Sequence, residues 1–287
     1  MVTAQQRRYG EYILEDTQSR ARVVVCPERG GAVVSFSVNG REVLWLDRDV
    51  YEDPTQNVQG GIPILFPICS ILPDDAYQVK GQVYRLPLHG FTRSVAWKTA
   101  SQPAADAAEV TLVLRSSGLS KAMYPYDFEY QITYALKETT LTTKVAVKNL
   151  SDVDMPIQYG FHPFLNLSVK DETVLLETDG EQYCDLGDQA FHSFRAHMDL
   201  TDDHNGKLFF NTHTFAVTDP EDGCRISFAG SGEFSTYLLW SGDGKRYCVE
   251  PWTAGINAMN TGENLIYVKP GEIHQSWYTI QVEPASP

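Results

Sequence analysis

The stretch Tyr126-Asp127-Phe128-Glu129-Tyr130-Gln131-Ile132-Thr133-Tyr134-Ala135-Leu136 alternates along its length, with an aromatic or aliphatic residue at every even position and Asp127, Glu129, Gln131 and Thr133 between them. Successive side chains of a strand point to opposite faces, so this period of two marks a half-buried strand. After Glu138-Thr139-Thr140 the pattern resumes, with Leu141, Val145 and Val147 on one face and Thr142, Lys144 and Lys148 on the other. The two segments predict an antiparallel hairpin. Outward from it, similar short strands read at 9–14, 22–26, 32–38, 110–114, 215–218, 235–240, 247–250 and 276–282. Arg29-Gly30-Gly31, Asn39-Gly40, Asp222-Gly223, Ser241-Gly242-Asp243-Gly244 and Pro270-Gly271 punctuate them as turns. No long segment has helical periodicity. The pattern predicts an all-β fold, a large antiparallel β-sandwich, and with no linker in the composition residues 1–287 read as one domain.

With 43% hydrophobic residues among 287, the chain has ample material for one large core. Its formal net charge of −14 argues against nucleic acid and acidic membrane surfaces as partners, because phosphates are held mainly by clustered Lys and Arg. Cys26, Cys69, Cys184, Cys224 and Cys248 are odd in number and widely spaced, with no CxxC pair, so they read as reduced thiols of a cytoplasmic protein. The arginines near the N-terminus have no apolar stretch behind them, and no run approaches the roughly 20 residues that span a bilayer. The expectation is a protein neither secreted nor membrane-embedded.

Two stretches break the alternation. Gly60-Gly61-Ile62-Pro63-Ile64-Leu65-Phe66-Pro67 pairs two glycines with two prolines, which suits a shaped loop along a sheet edge and not a central strand. In Leu86-Pro87-Leu88-His89-Gly90-Phe91-Thr92-Arg93 the glycine after the histidine permits a close approach of another group, although a surface turn with an incidental histidine fits equally well.

Two further stretches carry titratable groups. In Tyr159-Gly160-Phe161-His162-Pro163-Phe164-Leu165-Asn166-Leu167 one imidazole sits among aromatic neighbours, and the following proline holds His162 extended, as at a strand end. Histidine titrates nearest neutrality and can give or take a proton there. In Tyr247-Cys248-Val249-Glu250-Pro251-Trp252 alternation sets Cys248 and Glu250 on one face, and Pro251 is expected to end the strand. Apolar neighbours would raise the pKa of Glu250 and strengthen it as a base. The plainer alternatives are a satisfied core histidine and a glutamate on a solvated strand face. His192, His197, His204 and His213 match no metal-ligand spacing, and His274 reads as a solvated turn residue.

These stretches, in this order and with the closing Pro270-Gly271-Glu272, resemble the motif series of the aldose 1-epimerase (galactose mutarotase-like) superfamily, closest to the branch that includes glucose-6-phosphate 1-epimerases. The resemblance runs from about residue 30 to the C-terminus. It implies a large β-sandwich with a sugar held on one sheet, His162 as catalytic acid, Glu250 as catalytic base, and His89 contacting the sugar. Arg93 matches the arginine of an HGFxR pattern. The family also has a sugar-binding acidic residue between the histidine and glutamate motifs; Asp199, Asp202 and Asp203 all lie there, with Asp203 one candidate, and the sequence does not choose among them.

The implied chemistry is self-consistent. Exchanging the anomers of a cyclic aldose needs one group to take the proton of the anomeric hydroxyl and another to protonate the ring oxygen, each transfer contributing ~100- to 10,000-fold. No metal, cofactor or covalent nucleophile is required. Phe66, Phe91, Phe164 and Trp252 are candidates to stack on a pyranose, and Gln59, Asn166 and Asn257 to bond its hydroxyls, with core packing as the alternative for each. Phosphate-specific members of the superfamily typically have arginine just before the GGIP glycines, where this chain has Gln59. Arg93, Arg85 or Lys80 remain as possible anion anchors. The reading is a mutarotase for an aldohexose, phosphorylated or not, working as a monomer or homodimer. A non-catalytic carbohydrate-binding sandwich is the alternative, and a glycoside hydrolase, needing a second carboxylate, would have to recruit Glu263.

Overall fold

In the computed structural model, residues 1–6, 8–100, 108–168, 173–199, 205–242 and 246–284 are described. The hairpin that the alternation predicts is present: Phe128–Lys137 pairs with Thr140–Asn149 in register from Phe128↔Asn149 to Lys137↔Thr140. Along its first strand buried and half-buried residues alternate, so Phe128, Tyr130, Ile132 and Tyr134 all face one core. Glu138 takes up the turn with φ 54°, in the left-handed region.

This hairpin lies within a nine-stranded antiparallel sheet whose spatial order is His197–Asp199, Thr173–Thr178, Thr214–Thr218, Arg225–Gly230, Ile273–Glu283, Thr140–Asn149, Phe128–Lys137, Glu109–Arg115 and Lys98–Thr99. An eight-stranded sheet runs Ala190–Ser193, Gln182–Asp185, Lys207–Phe210, Thr236–Ser241, Tyr247–Trp252, Gly160–Phe161 and Ile64–Leu65, with Phe164–Leu165 also pairing Tyr247–Trp252. Aromatic residues join the two faces: Phe161 meets Tyr278 at 4.5 Å and Phe215 stacks on Tyr237 at 5.6 Å between ring centroids. Such pairs contribute about 0.5–1.5 kcal/mol each beyond their buried area. A five-stranded sheet formed by the N-terminal strands, Val2–Gln6 through Arg41–Glu42, adds its apolar residues to the same core. The fold is an antiparallel β-sandwich, as the period-two pattern predicts. The α-helices in the described residues are short, and none is long and apolar enough to cross a membrane.

Two local readings change and a third holds. The strand Tyr247–Trp252 does not stop at Glu250 but continues through Pro251, which is in register with Tyr237. His274 is a half-buried residue of Ile273–Glu283 whose Nε2 lies 2.7 Å from the Tyr159 hydroxyl, not a solvated turn residue. A polar partner from a distant segment satisfies it, which local sequence cannot reveal. The glycine-proline stretch does form a sheet edge, with Ile64–Leu65 as a two-residue strand against Gly160–Phe161.

Candidate active site

Gly160 pairs with Trp252, and Phe164 pairs with Cys248. Both pairs have the same register, so the residues midway between them, His162 and Glu250, fall opposite one another. Pro163 and Pro251 follow them and withdraw two ladder donors at that point. The result is a cross-strand pair with His162 Nε2 3.2 Å from Glu250 Oε1, at side-chain exposures of 12% and 1%. The imidazole lies flat on Phe164, at 4.4 Å and 8°, and edge-on to Trp240 at 6.4 Å. Its Nδ1 is buried with no hydrogen-bond partner among the described residues, so Nε2 is the nitrogen available for proton exchange.

His89 reaches the same place from the loop after the Gln82–Arg85 strand. It holds φ 64°, and Gly90 follows at φ 72° against the Phe66 carbonyl, where a Cβ would stand 2.0 Å from that oxygen. Only glycine fits there. The ring of His89 is 5.3 Å from that of His162, and its Nδ1 accepts the Ser70 backbone N–H at 2.9 Å. In neutral His89 this acceptor role places the hydrogen on Nε2. Ligand atoms of His89, His162 and Glu250 lie within 4.8 Å of one another, the sort of trio that can hold zinc. With Nδ1 engaged and Nε2 protonated, however, His89 has no lone pair to offer a metal. It is a fixed N–H donor instead.

Burial dominates the electrostatics. It pushes the Glu250 carboxyl well up, against the hydrogen bond from Trp252 and the charge of Arg93, and pushes His162 well down, helped by His89 and Arg93. Burial, with Arg93 beside it, also lowers His89 to about 3. Arg93 is held in the short turn Thr92–Ser94 by a bond from Nη2 to the Leu88 carbonyl, and its Nε is buried without a partner among the described residues. Desolvation lowers its pKa, and the Glu250 charge opposes that.

The structure therefore brings together His162, Glu250, His89, Arg93, Phe164 and Trp252. Trp252 is fully buried and donates its indole N–H to Glu250 Oε2 at 3.2 Å, so it lies beside the base and presents no open stacking surface. Phe66 and Phe91 prove to be core residues: Phe66, just beyond the Ile64–Leu65 strand, packs against Phe91, Phe128 and Tyr130. Gln59 is exposed and accepts a bond from Arg246 at 3.4 Å. The amides of Asn166 and Asn257 are engaged by the Glu42 carbonyl and by Asn260. Asp202 and Asp203 lie outside the described residues. Sequence reasoning missed Arg246, whose guanidinium lies over Trp45 at 5.6 Å and over Trp240 at 6.0 Å. Trp45 in turn meets Phe164, so Arg246 joins the aromatic wall beside His162. Its position just before the strand Tyr247–Trp252 and four residues ahead of Glu250, in step with the alternation, was the available signal.

A sandwich of this form is shared with solved structures. The galactose mutarotase-like protein from Clostridium acetobutylicum superposes with a TM-score of 0.83 over 99% of each chain at 18% identity, a likeness of fold. The Slr1438 protein from Synechocystis sp. PCC 6803 has a TM-score of 0.92 and 34% identity over 97% of each chain. Among curated proteins, the uncharacterized protein YihR of Escherichia coli strain K12 is 24% identical over 76% of this chain and 77% of its own. The aldose 1-epimerase family matches residues 12–281, and the chain belongs to that family.

Proposed function

We propose that the protein interconverts the α and β anomers of an aldohexose by opening and reclosing the ring, with Glu250 and His162 as base and acid. The observation that carries this reading is the 3.2 Å contact between a buried carboxylate and a buried imidazole. The anomeric hydroxyl and the ring oxygen are bonded to the same carbon, so the groups serving them must be close neighbours. The pair holds one proton between its two members. With that proton on His162, the carboxylate takes the hydrogen of the anomeric hydroxyl while the imidazolium protonates the ring oxygen, and the hemiacetal opens. The pair is then neutral, the form that burial favours. After the aldehyde rotates, Glu250 gives its proton to the carbonyl oxygen while His162 takes the proton of the ring-forming hydroxyl as that oxygen attacks C1, so the ring closes on either face and the pair returns to its starting form. His89 Nε2–H and Arg93 donate to sugar oxygens, and Phe164 and Trp240 supply apolar wall.

A glycoside hydrolase would need two carboxyl groups about 5–9.5 Å apart across the sugar. Glu263, the other candidate carboxylate, is exposed beyond the short helix Ala258–Thr261. The substrate in this proposal is a free aldohexose, because Gln59 stands where an arginine anchor would be, and the location is the cytoplasm. The test is polarimetry on freshly dissolved α-glucose and α-galactose. Rotation that relaxes faster in proportion to protein supports the proposal; sugar binding with an unaccelerated trace makes the chain a carbohydrate-binding sandwich.

A further inference from the structure

We infer that Trp252 is a positioning residue for Glu250: its indole N–H fixes carboxylate oxygen Oε2 so that Oε1 faces His162 and takes the proton of the sugar. The inference rests on the anomer-exchange reading, but its geometry is independent of any sugar. Trp252 lies two residues beyond Glu250 on the same strand and the same face, and its Nε1 is 3.2 Å from Oε2. The other oxygen, Oε1, is the one 3.2 Å from His162 Nε2. The two oxygens of the carboxylate thus have different partners, one a neutral donor that does not ionise near neutral pH and one an imidazole that does.

The indole is held against swinging away. Gly160 stands opposite it in register, and a Cβ on Gly160 would sit 2.5 Å from Trp252 Cδ1 and 2.9 Å from Cys69 Sγ. The glycine of the Tyr159-Gly160-Phe161-His162 stretch is therefore the space the indole occupies. Thr236 closes the other side in register, and Leu65, Leu208 and Leu238 complete the apolar packing. A donor held this firmly orients its acceptor, as partners behind a reacting group do at metal and acid/base sites.

The N–H also acts on the proton affinity of the base. Burial raises Glu250, and the bond from Trp252 is the largest of the effects lowering it, ahead of the charge on Arg93. The other titratable groups around the carboxylate are His162, His89, Cys69 and Cys248, the two thiols being raised by burial and by Glu250. Removing only the indole N–H should raise the pKa of Glu250 and leave those groups in place.

The experiment has a wild-type arm and a variant arm. In the wild-type protein, the carboxyl carbon of Glu250 is followed by 13C NMR, identified by its loss in Glu250→Gln, together with the indole N–H signals of the five tryptophans. One indole signal should move with the midpoint of that carboxyl; if none does, the inference fails without recourse to a variant. In Trp252→Phe, kcat should fall about tenfold or more with KM changed less than about threefold, and the acid limb of the kcat profile and the 13C midpoint should both rise by about one pH unit. An unmoved midpoint, or a raised KM with kcat retained, would overturn the inference and leave Trp252 as a packing residue beneath the site. Because the titration needs no sugar, a coupled midpoint without any anomer exchange would sink the mutarotase reading alone.

Discussion

Two histidine–carboxylate pairs occur in the same eight-stranded sheet, and they behave oppositely. His192 and Asp188 meet at 2.8 Å on the outermost strand and its turn, with side chains 43% and 54% exposed. His162 and Glu250 meet at 3.2 Å between inner strands, with the glutamate 1% exposed. In the outer pair, the Ala190 backbone N–H and then His192 hold Asp188 below its usual value, an ordinary solvated carboxylate. In the inner pair, burial drives both partners toward their neutral forms. An imidazole beside a carboxylate makes a surface contact of little consequence in water, and in a dry site it is what we propose to hold an exchangeable proton. Position in the sheet decides which, and the distance alone would have favoured the wrong pair.

The largest expected effect separates the pairs by function. Glu250→Gln keeps shape but cannot accept a proton, so anomer exchange should drop by ~100- to 10,000-fold, mainly in kcat, whereas Asp188→Asn should stay within about twofold of wild type. Near-normal turnover of Glu250→Gln would remove this carboxylate from the mechanism. His162→Asn against His192→Asn should repeat the contrast with the acid, at ~100-fold or more against no change. Equal losses in the two histidine variants would mean that folding, not proton transfer, is being measured.

A smaller effect should appear in stability against pH. The ordinary pKa of His89 is 6.5 and the folded protein lowers it to about 3, so its contribution is present above 6.5 and is lost as pH falls from there toward 3. Across that window one proton is taken up on unfolding, a slope of about 1.4 kcal/mol per pH unit at most. Denaturation of His89→Gln, followed from pH 7 to pH 4, should show a shallower acid slope than wild type even if the variant is less stable throughout. An identical slope for His89→Gln would show that His89 takes up no proton on unfolding.

The smallest expected effect concerns substrate choice. An arginine in place of Gln59 adds a charge-assisted bond to a phosphate, worth roughly 1 kcal/mol or more over a neutral one. Gln59→Arg should therefore raise the ratio of kcat/KM for glucose 6-phosphate over glucose several-fold. The unmodified protein should turn over the free sugar at least as efficiently. A strong preference of the wild type for the phosphate would locate the anion site on another basic residue, with Arg246 the nearest to Gln59.

The fold was legible because a half-buried strand writes its burial directly into alternation, and Phe128–Lys137 does so residue by residue. Short or solvent-facing strands such as Ala190–Ser193, exposed at every position, leave no such trace and were missed. The candidate site was legible at His162, His89 and Glu250, where a proline or glycine follows the titratable residue. What could not be read was set by chain segments far away in sequence: Ser70 fixing the His89 tautomer, Tyr159 engaging His274, Arg246 packing on Trp45. The strand-ending role assigned to Pro251 failed for a related reason. The neighbouring segment around His162 and Pro163 already interrupts the ladder there, so the missing N–H costs little.

If the inner pair moves protons on a sugar ring, exchange at equilibrium reports it without intermediaries. Two-dimensional NMR exchange on an α/β-glucose mixture reads interconversion of the C1 protons with no net reaction and no coupling enzyme. With the native protein, α-to-β cross-peaks should grow in proportion to protein concentration, vanish with Glu250→Gln, and come without cleavage or any change at another carbon. Saturable sugar binding with cross-peaks no stronger than in buffer would contradict it.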